Sequence, residues 1–132
     1  MARLATADRS GAPHVVPLCY AVEGDHLYFV IDAKPKARAG TGLKRMRNLT
    51  ENPAVALVVD DWDEDWTRLA YLLVRGRAAV VANPGERAQA LALLRARYPQ
   101  YRSMTLEGAA HPVVRITVER AHLWRAAPSA RP

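Results

Sequence analysis

A basic stretch from Lys34 to Pro53, KPKARAGTGLKRMRNLTENP, carries the side chains best suited to chemistry. Its cations precede its first acid and are Lys34, Lys36, Arg38, Lys44, Arg45 and Arg47. Proline and glycine make the first half irregular, whereas residues 43–51 are compatible with a helix. A basic loop that leads into a helix N-terminus can hold an anion, because free backbone N–H groups and cationic side chains converge there. The stretch predicts a cradle for a phosphate or a polycarboxylate, and the alternative is a solvated basic loop.

The remaining reactive side chains form no recognisable catalytic or metal-binding group. No histidine stands at a metal-ligand spacing from a cysteine or an acid; the four are His14, His26, His111 and His122. Cys19 lies inside a predicted strand without a cationic neighbour in sequence, which favours a buried and inert thiol. The GxSxG, Walker and GxGxxG motifs are absent. We therefore predict no metal and assign no catalytic residue. The sequence favours a protein that holds an anionic cofactor, and that cofactor would carry the chemistry.

The length and composition fit one globular domain. The chain has 132 residues, of which 50% are hydrophobic and 24% charged. We predict a single domain over residues 3–125 and a flexible tail over residues 126–132. No apolar run reaches the roughly 20 residues of a membrane span, and the N-terminus lacks a signal-peptide core. Cys19 is the only cysteine, so no intrachain disulfide can form. These features predict a cytoplasmic protein with no membrane partner.

The net charge of +6 makes nucleic acid the first partner to consider. The charge is uneven, however, because residues 60–65 read DDWDED, an acidic patch as dense as the basic one. Aromatic residues make up 7% of the chain, and no RRM, KH or zinc-finger signature occurs, so platforms for stacking bases are missing. Nucleic-acid binding is therefore not expected.

Alternating apolar residues and turn signals predict a mainly β protein. The predicted strands are Arg3–Ala7, His14–Val22, His26–Asp32, Ala54–Asp60, Leu69–Val81, Pro112–Val118 and His122–Arg125. The predicted helices are Leu43–Glu51 and Pro84–Tyr98, the second capped by Asn83 and with an apolar stripe of Ala88, Leu91, Ala92 and Leu94. Pro17 favours a sheet edge, Gly76 suggests a bulge, and the run Ala54–Asp60 predicts burial on both faces. Six or seven antiparallel strands with two or more helices predict a small β-barrel.

The motifs, taken in chain order, resemble those of the pyridoxamine 5'-phosphate oxidase-like superfamily, the split β-barrels that bind flavins or deazaflavins. The shared features are an SGxPH turn at residues 10–14, Val16-Pro17, the basic loop, and RNLTENPAVALVVD. The segments LATADRSGAPHVVPL and DAKPKARAGTGLKRMRNL, with DEDW at residues 63–66, are most similar to the actinobacterial branch of F420-dependent oxidoreductases. The resemblance covers residues 3–125 and implies an FMN-binding-like split barrel.

The resemblance also implies a homodimer with cofactor sites in clefts between the two barrels. It places the cofactor phosphate against the side chains of Lys34, Lys36, Lys44, Arg45, Arg47 and Asn48. It places the cofactor ring against Val16, Pro17, Leu18, Ile31 and Asp32, with Trp124, Trp62 or Trp66 supplied by the partner subunit. Coenzyme F420 is favoured over FMN, because its polyglutamate tail adds negative charge that suits the basic excess.

The implied activity is hydride transfer between reduced deazaflavin and a small organic substrate that the sequence does not encode. Two other functions of the same fold stay open: an FMN-dependent oxidoreductase, and a non-catalytic protein that binds F420 or flavin. Members of the superfamily usually carry a helix before the first strand, whereas this sequence reaches its first predicted strand at Arg3. A truncated chain, a misassigned start or a missing part of the cofactor lid would each account for that difference.

Overall fold

The computed structural model describes residues 1–32 and 43–127. Lys34, Lys36 and residues 128–132 of the predicted tail lie outside the described residues. Two short 3-10 turns are present, at Trp66–Arg68 after the fifth strand and at Pro99–Ser103 after the second helix. In chain order, the strands and helices are β1 (Ala2–Ala7), β2 (Pro13–Leu18), β3 (Ala21–Glu23), β4 (His26–Val30), α1 (Lys44–Glu51), β5 (Ala54–Asp61), β6 (Ala70–Val80), α2 (Pro84–Arg97) and β7 (Val113–Arg125).

The seven strands form one sheet in the order β2-β1-β5-β6-β7-β4-β3, and every neighbouring pair is antiparallel. β2 and β3 follow each other in the chain but occupy opposite edges of the sheet. Only Cys19 and Tyr20 separate them, so the sheet curls until its two edges face each other across a seam. This curled antiparallel sheet with two helices confirms the predicted fold class.

Two hydrophobic cores lie on opposite faces of the sheet. The first fills the inside of the curl, where Leu27 and Phe29 of β4 pack with Met46 of α1. The second lies under α2 and receives Tyr28 and Val30 of the same strand. Because successive side chains of a strand point to opposite faces, β4 connects the two cores directly. The end of β4 is thereby fixed from both sides.

The segment between β1 and β4 departs from the prediction. The single strand predicted over His14–Val22 is wrong, because the chain leaves the sheet at Cys19 and Tyr20 and resumes as β3. Pro17 pairs with Arg3 of β1, and β2 has no strand on its other side among the described residues. The predicted edge position of Pro17 is therefore confirmed.

The last two predicted strands are one strand in the structure. The separate strands predicted over Pro112–Val118 and His122–Arg125 are wrong, because β7 runs through both. The polar residues between them stay extended because their backbone pairs with β6, which extends across the whole interval. Long-range pairing thus overrides the weak local β-propensity of this segment.

A bulge interrupts the pairing of β6 with β7, as predicted. Arg75 lies opposite Arg120, whereas Gly76 lies opposite Val118, so Glu119 is the extra residue. Gly76 is required here, because an added Cβ would lie only 2.2 Å from the backbone oxygen of Thr117.

The burial predicted for β5 is wrong. Val55 and Leu57 are buried, but Ala56 and Val58 are partly exposed, so the strand alternates instead of being buried on both faces. One of its faces packs into the first core, and the other forms part of the outer surface of the sheet.

The apolar stripe predicted for α2 is partly wrong. Leu91 and Leu94 are buried as predicted, but the third buried residue is Ala90, while Ala88 and Ala92 are exposed. The helix turns its Ala90–Leu94 edge to the second core. The predicted N-cap is confirmed, since Asn83 Oδ1 accepts a hydrogen bond from Glu86 N at 2.9 Å.

Candidate functional site

A cleft of about 270 Å³ opens beside the seam of the sheet. The edge strand β2, the end of β4, the first turn of α1 and the 3-10 turn after α2 surround it. The side chains that line it are Val16, Pro17, Leu18, Cys19, Phe29, Val30, Asp32, Arg45 and Tyr101. One wall of the cleft is apolar, and the other wall carries charged and hydroxyl-bearing side chains.

The polar group consists of Asp32, Arg45 and Tyr101. Asp32 is 8% exposed, and Tyr101 Oη donates to its Oδ2 at 3.5 Å. Burial raises the pKa of Tyr101, and the neighbouring Cys19 thiol and Asp32 carboxyl raise it further. Tyr101 therefore stays protonated and remains a hydrogen-bond donor at neutral pH.

Arg45 brings a cation into the same cleft. Burial lowers its pKa, while the charges of Asp32 and Tyr101 act in the opposite direction. An arginine stays protonated under all ordinary conditions, so the group still presents a guanidinium. Its Nε atom is buried and has no hydrogen-bond partner among the described residues. A buried donor without a partner is costly, and a bound acceptor would remove that cost.

The seam beside the cleft is closed by side chains. The Tyr98 hydroxyl accepts from the main-chain nitrogen of Tyr20 at 3.2 Å and lies 3.1 Å from its carbonyl oxygen. Arg97 donates to the same carbonyl at 2.7 Å, and its guanidinium lies 4.3 Å from the centre of the Tyr20 ring. The end of α2 thus anchors the link between β2 and β3.

His111 fixes the end of β4, close to Asp32. Its Nδ1 donates to the carbonyl oxygen of Ile31 at 2.8 Å, which assigns the hydrogen to that nitrogen. Arg87 donates to the carbonyls of Leu106 and His111, so the loop that carries this histidine is itself held in place. His111 therefore has a positional role, which its sequence context does not reveal.

The cleft brings together five of the residues predicted to bind a cofactor. Val16, Pro17, Leu18, Asp32 and Arg45 all line it, although they come from three separate segments. Four residues predicted to contact the cofactor ring, Val16, Pro17, Leu18 and Asp32, therefore lie close together in the structure. Arg45, predicted to hold a phosphate, lies beside the predicted ring wall.

Three further predicted residues do not line the cleft, namely Ile31, Arg47 and Asn48. Asn48 and Ile31 are buried, and Asn48 Nδ2 donates to Thr6 Oγ1 at 3.0 Å. Arg47 is exposed on α1. Lys34 and Lys36 lie outside the described residues, so their predicted contacts stay predictions.

Lys44 lies at the start of α1 and pairs with the β1–β2 turn. Its Nζ is 3.6 Å from Asp8 Oδ2, and both side chains are partly exposed. A hydrogen bond from the Ser10 side chain, helped by the Ala12 backbone N–H and by Lys44, lowers the pKa of Asp8 to about 2. The turn therefore presents a permanent negative charge to Lys44.

Trp124 lies elsewhere, on the outer surface of β7. It stacks on Tyr71 of β6, with ring centres 5.5 Å apart and planes inclined by 22°. Both rings line an apolar cleft of about 410 Å³ together with Trp62, which is 72% exposed. This cleft shares no lining residue with the first, so Trp124 does not reach the Asp32–Arg45 group within one chain.

Four lining residues were missed by the sequence interpretation, namely Cys19, Phe29, Val30 and Tyr101. Tyr101 lies in a stretch predicted only as irregular, and no spacing signal links it to Asp32. Cys19 was expected inside a strand as a buried thiol, but it is half-buried in the cleft wall between β2 and β3.

Within the described residues, no three His, Cys, Asp or Glu side chains converge to hold a metal ion. Neither α1 nor α2, the described α-helices, is long and apolar enough to cross a membrane.

Comparison with known proteins agrees with the predicted resemblance. The family model described as pyridoxamine 5'-phosphate oxidase matches residues 1–125. No curated protein sequence matches the chain. A heme binding protein from Mycobacterium smegmatis superposes with a TM-score of 0.76 at 17% identity, covering 98% of this chain and 50% of that one. A conserved hypothetical protein from Mycobacterium tuberculosis gives a TM-score of 0.74 at 21% identity, with 95% and 76% covered. A FAD-binding protein from Mesorhizobium loti gives 0.66 at 26% identity, with 92% and 83% covered.

Proposed function

This chain belongs to the pyridoxamine 5'-phosphate oxidase family, and we propose that it is an oxidoreductase that binds a flavin-type cofactor in the cleft beside the seam. The observation that carries the proposal is the convergence of Val16, Pro17, Leu18, Asp32 and Arg45 around that cleft. These residues were predicted as cofactor contacts from sequence motifs alone. Because these residues come from three separate segments and converge on one cleft, they support a common ligand.

The size and chemistry of the cleft suit a planar ring. Its volume of about 270 Å³ is slightly below the roughly 300–1,000 Å³ of pockets that enclose a whole small molecule. The cleft would therefore hold the ring, while the remainder of the cofactor extends outside. Val16, Leu18 and Phe29 offer an apolar wall, and the Arg45 guanidinium offers donors to ring carbonyls.

The anionic end of the cofactor would lie over the first turn of α1. Lys44 and Arg47 are both on this helix, and among the residues that the structure describes Lys44 pairs with Asp8 alone, in an exposed ion pair. Exposed pairs of this kind contribute little to stability, so a phosphate or polyglutamate group could replace the Asp8 contact at little cost. The net charge of +6 supports the anionic coenzyme F420 as the cofactor. The substrate would be a small organic molecule.

A bound deazaflavin or flavin would itself supply hydride transfer. The residues of this chain would bind and orient the ring, and the apolar wall would keep water from one of its faces. Arg45 would place a positive, hydrogen-bonding group beside ring oxygens, where it stabilises negative charge. We assign no nucleophile or general base, in keeping with the sequence.

We extend the proposal to a homodimer formed through the outer surface of β5, β6 and β7. This surface carries Tyr71 and Trp124, which are 37% and 40% exposed, beside Trp62, which is 72% exposed. Large exposed apolar residues that cluster on one face are typical of an interaction surface. Dimerisation would also bring Trp124 towards the second subunit, as the resemblance implies.

An FMN-dependent oxidoreductase of the same fold is the second candidate. Asp32 beside Arg45 leaves the described cleft without excess positive charge, which lessens the advantage of the more anionic F420. A non-catalytic protein that binds either cofactor would use the same residues, and turnover separates that function from the two enzymatic ones.

A fluorescence titration with F420, and separately with FMN, tests the proposal. We expect micromolar binding of F420 by the wild-type chain, weakened about 10- to 100-fold by Arg45→Gln, since a hydrogen bond to a charged group is worth about 1.5–3 kcal/mol. The matched control is Arg102→Gln, an exposed arginine on the turn after α2. Preference for FMN would move the assignment to a flavoprotein. Binding of neither cofactor, or equal affinities for both variants, would refute the proposed site.

A further inference from the structure

Two arginines lie side by side on the outer face of the sheet, where β6 and β7 pair. Arg75 and Arg120 are directly opposite each other in the register of the two strands, and both are exposed. Directly opposed side chains of an antiparallel pair have their Cβ atoms about 5 Å apart, so like charges at these positions destabilise the sheet. The pair therefore carries an electrostatic cost that a bound anion would remove.

A third arginine extends the positive charge along β6. Arg77 follows Arg75 by two residues, and side chains two positions apart on a strand point to the same face, about 7 Å from each other. Gly76, between them, is buried, as this alternation requires. Arg77 is exposed and lies opposite two uncharged residues, Thr117 of β7 and Ala54 of β5. Three cations thus occupy one small area of the face.

No acid neutralises these three arginines within the described part of the chain. The ion pairs there involve other side chains, and none of the three guanidinium groups donates a hydrogen bond to a described residue. Glu119, the extra residue of the bulge, is adjacent to Arg120 in sequence but forms no ion pair with it. Asp60 of β5 is on the same face, opposite Tyr71, but it already pairs with Arg3 at 3.0 Å. The positive charge is therefore left for a partner from outside the chain.

An open cleft lies at the arginine pair. Its volume is about 360 Å³, and its lining residues are Leu73, Arg75, Arg120, Ala121 and His122. This volume falls within the roughly 300–1,000 Å³ of pockets that hold small molecules. Leu73 and His122 lie opposite each other in the neighbouring cross-strand row. A ligand held by the arginines would therefore have an apolar side chain and an imidazole beside its remaining atoms.

The number of arginines indicates which anion fits. Guanidinium groups bind phosphates and carboxylates through paired, charge-assisted hydrogen bonds. A phosphate monoester carries a charge of about −1.5 to −2 at neutral pH and three acceptor oxygens, so one phosphate can serve three arginines. A carboxylate has a single charge and two oxygens, which would leave most of the positive charge unbalanced. The cluster therefore favours a phosphate monoester.

We propose that Arg75, Arg77 and Arg120 form a binding site for the phosphate group of a small-molecule phosphate monoester. The site lies within one chain and shares no lining residue with the cofactor cleft, so it depends neither on the cofactor nor on a dimer. Tyr71 of the apolar patch precedes Arg75 by four residues, which places the two about 14 Å apart along β6. The phosphate site and the apolar patch therefore use different parts of the face.

Titration calorimetry with phenyl phosphate at low salt tests the site. We expect the wild-type chain to bind it with a dissociation constant on the order of 1 mM or below. Arg75→Gln and Arg120→Gln should each weaken binding about tenfold or more, because each removes charge-assisted hydrogen bonds, and the double variant should not bind measurably. Benzoate carries a carboxylate on the same ring and should bind wild type at least about tenfold more weakly than phenyl phosphate.

Two control variants locate the ligand. Arg9→Gln with Arg102→Gln removes as much charge as the Arg75–Arg120 double variant, from exposed positions on other turns, and should bind phenyl phosphate like wild type. Arg45→Gln alters the cofactor cleft and should also bind like wild type. Because the opposed arginines repel each other, their double variant should melt no lower than wild type without ligand, which shows that it is folded.

Each outcome separates this inference from the proposed function. No measurable binding by wild type, or equal binding by wild type and the Arg75–Arg120 double variant, would overturn the phosphate site alone. Loss of binding in Arg45→Gln or in the Arg9–Arg102 control would also overturn it, since the ligand would then occupy the cofactor cleft or respond only to net charge. Benzoate that binds as tightly as phenyl phosphate would overturn the choice of ligand. Retained binding of phenyl phosphate by a chain that binds neither F420 nor FMN would refute the proposed function and leave this site intact.

Discussion

Replacement of Gly76 by alanine should destabilise the fold severely, although it adds a single methyl group. An ideal Cβ at this position would lie 2.2 Å from the backbone oxygen of Thr117 and 3.2 Å from Ile116 Cγ2. Ordinary contacts begin at 3.4 Å, so the methyl carbon would be 1.2 Å too close to that oxygen. The obstructing atom belongs to the main chain of β7 and cannot rotate away.

The expected cost follows from this geometry. Overpacking of a close contact costs about 1–3 kcal/mol, and a weakened ladder hydrogen bond adds about 1 kcal/mol. Alanine recovers about 0.5–1 kcal/mol through the smaller entropy of the unfolded chain. We therefore expect Gly76→Ala to lower the free energy of unfolding by about 1–3.5 kcal/mol. That loss is a large share of the roughly 5–15 kcal/mol typical of a domain.

Urea unfolding followed by circular dichroism measures this loss. The matched control is Gly85→Ala in the first turn of α2, where the nearest neighbour of the new Cβ is the side-chain oxygen of Asn83 at 3.1 Å. Better helix propensity offsets that mild crowding, so the control should differ from wild type by less than about 1 kcal/mol. A loss below about 1 kcal/mol for Gly76→Ala, with an unchanged urea dependence, would refute the close approach of β6 and β7.

Three further predictions concern stability. Asn83→Ala removes the cap of α2 and should lower the urea-measured stability by about 1 kcal/mol; an unchanged midpoint would contradict the observed cap. Leu94→Ala empties a buried position under α2 and should cost about 2–5 kcal/mol by the same assay, whereas exposed Ala92→Ser serves as the near-neutral control. The pKa of Asp8 is lowered to about 2 in the fold, so its ionised form stabilises the β1–β2 turn above about pH 4 and loses that effect as the pH falls towards 2. The melting temperatures of wild type and Asp8→Asn should accordingly differ at pH 5 and converge near pH 2; a constant difference over that range would contradict the assignment.

Much of the fold was predictable because the strands of the curled sheet carry strong local signals. Pro17 marked the edge strand, Gly76 marked the bulge, and Asn83 marked the start of α2, each through a backbone property of a single residue. The break at Cys19 and Tyr20 was not predictable, since the apolar run continues through both residues. What separates β2 from β3 is that their partners lie at opposite edges of the sheet.

The candidate site was predictable only where motifs mark it. Val16, Pro17 and Arg45 lie in segments that resemble a family, and they meet in the cleft. Tyr101 gave no such signal, because its contact with Asp32 arises only when the turn after α2 folds back over the end of β4. The Trp124–Tyr71 stack likewise depends on the register between β6 and β7. Gly76 marks the bulge that shifts this register, but the sequence does not show which residues of the two strands then lie opposite each other.

Because side chains close the seam at Tyr20, we expect this part of the chain to open locally without global unfolding of the sheet. A strand held by a ladder moves only when its neighbours move, but the Tyr20 main chain is held by Tyr98 and Arg97. Rotation of these two side chains releases the seam while every strand pair stays intact. We expect amide hydrogens at Cys19 and Tyr20 to exchange with solvent through such local openings, and those of β5 and β6 only through unfolding.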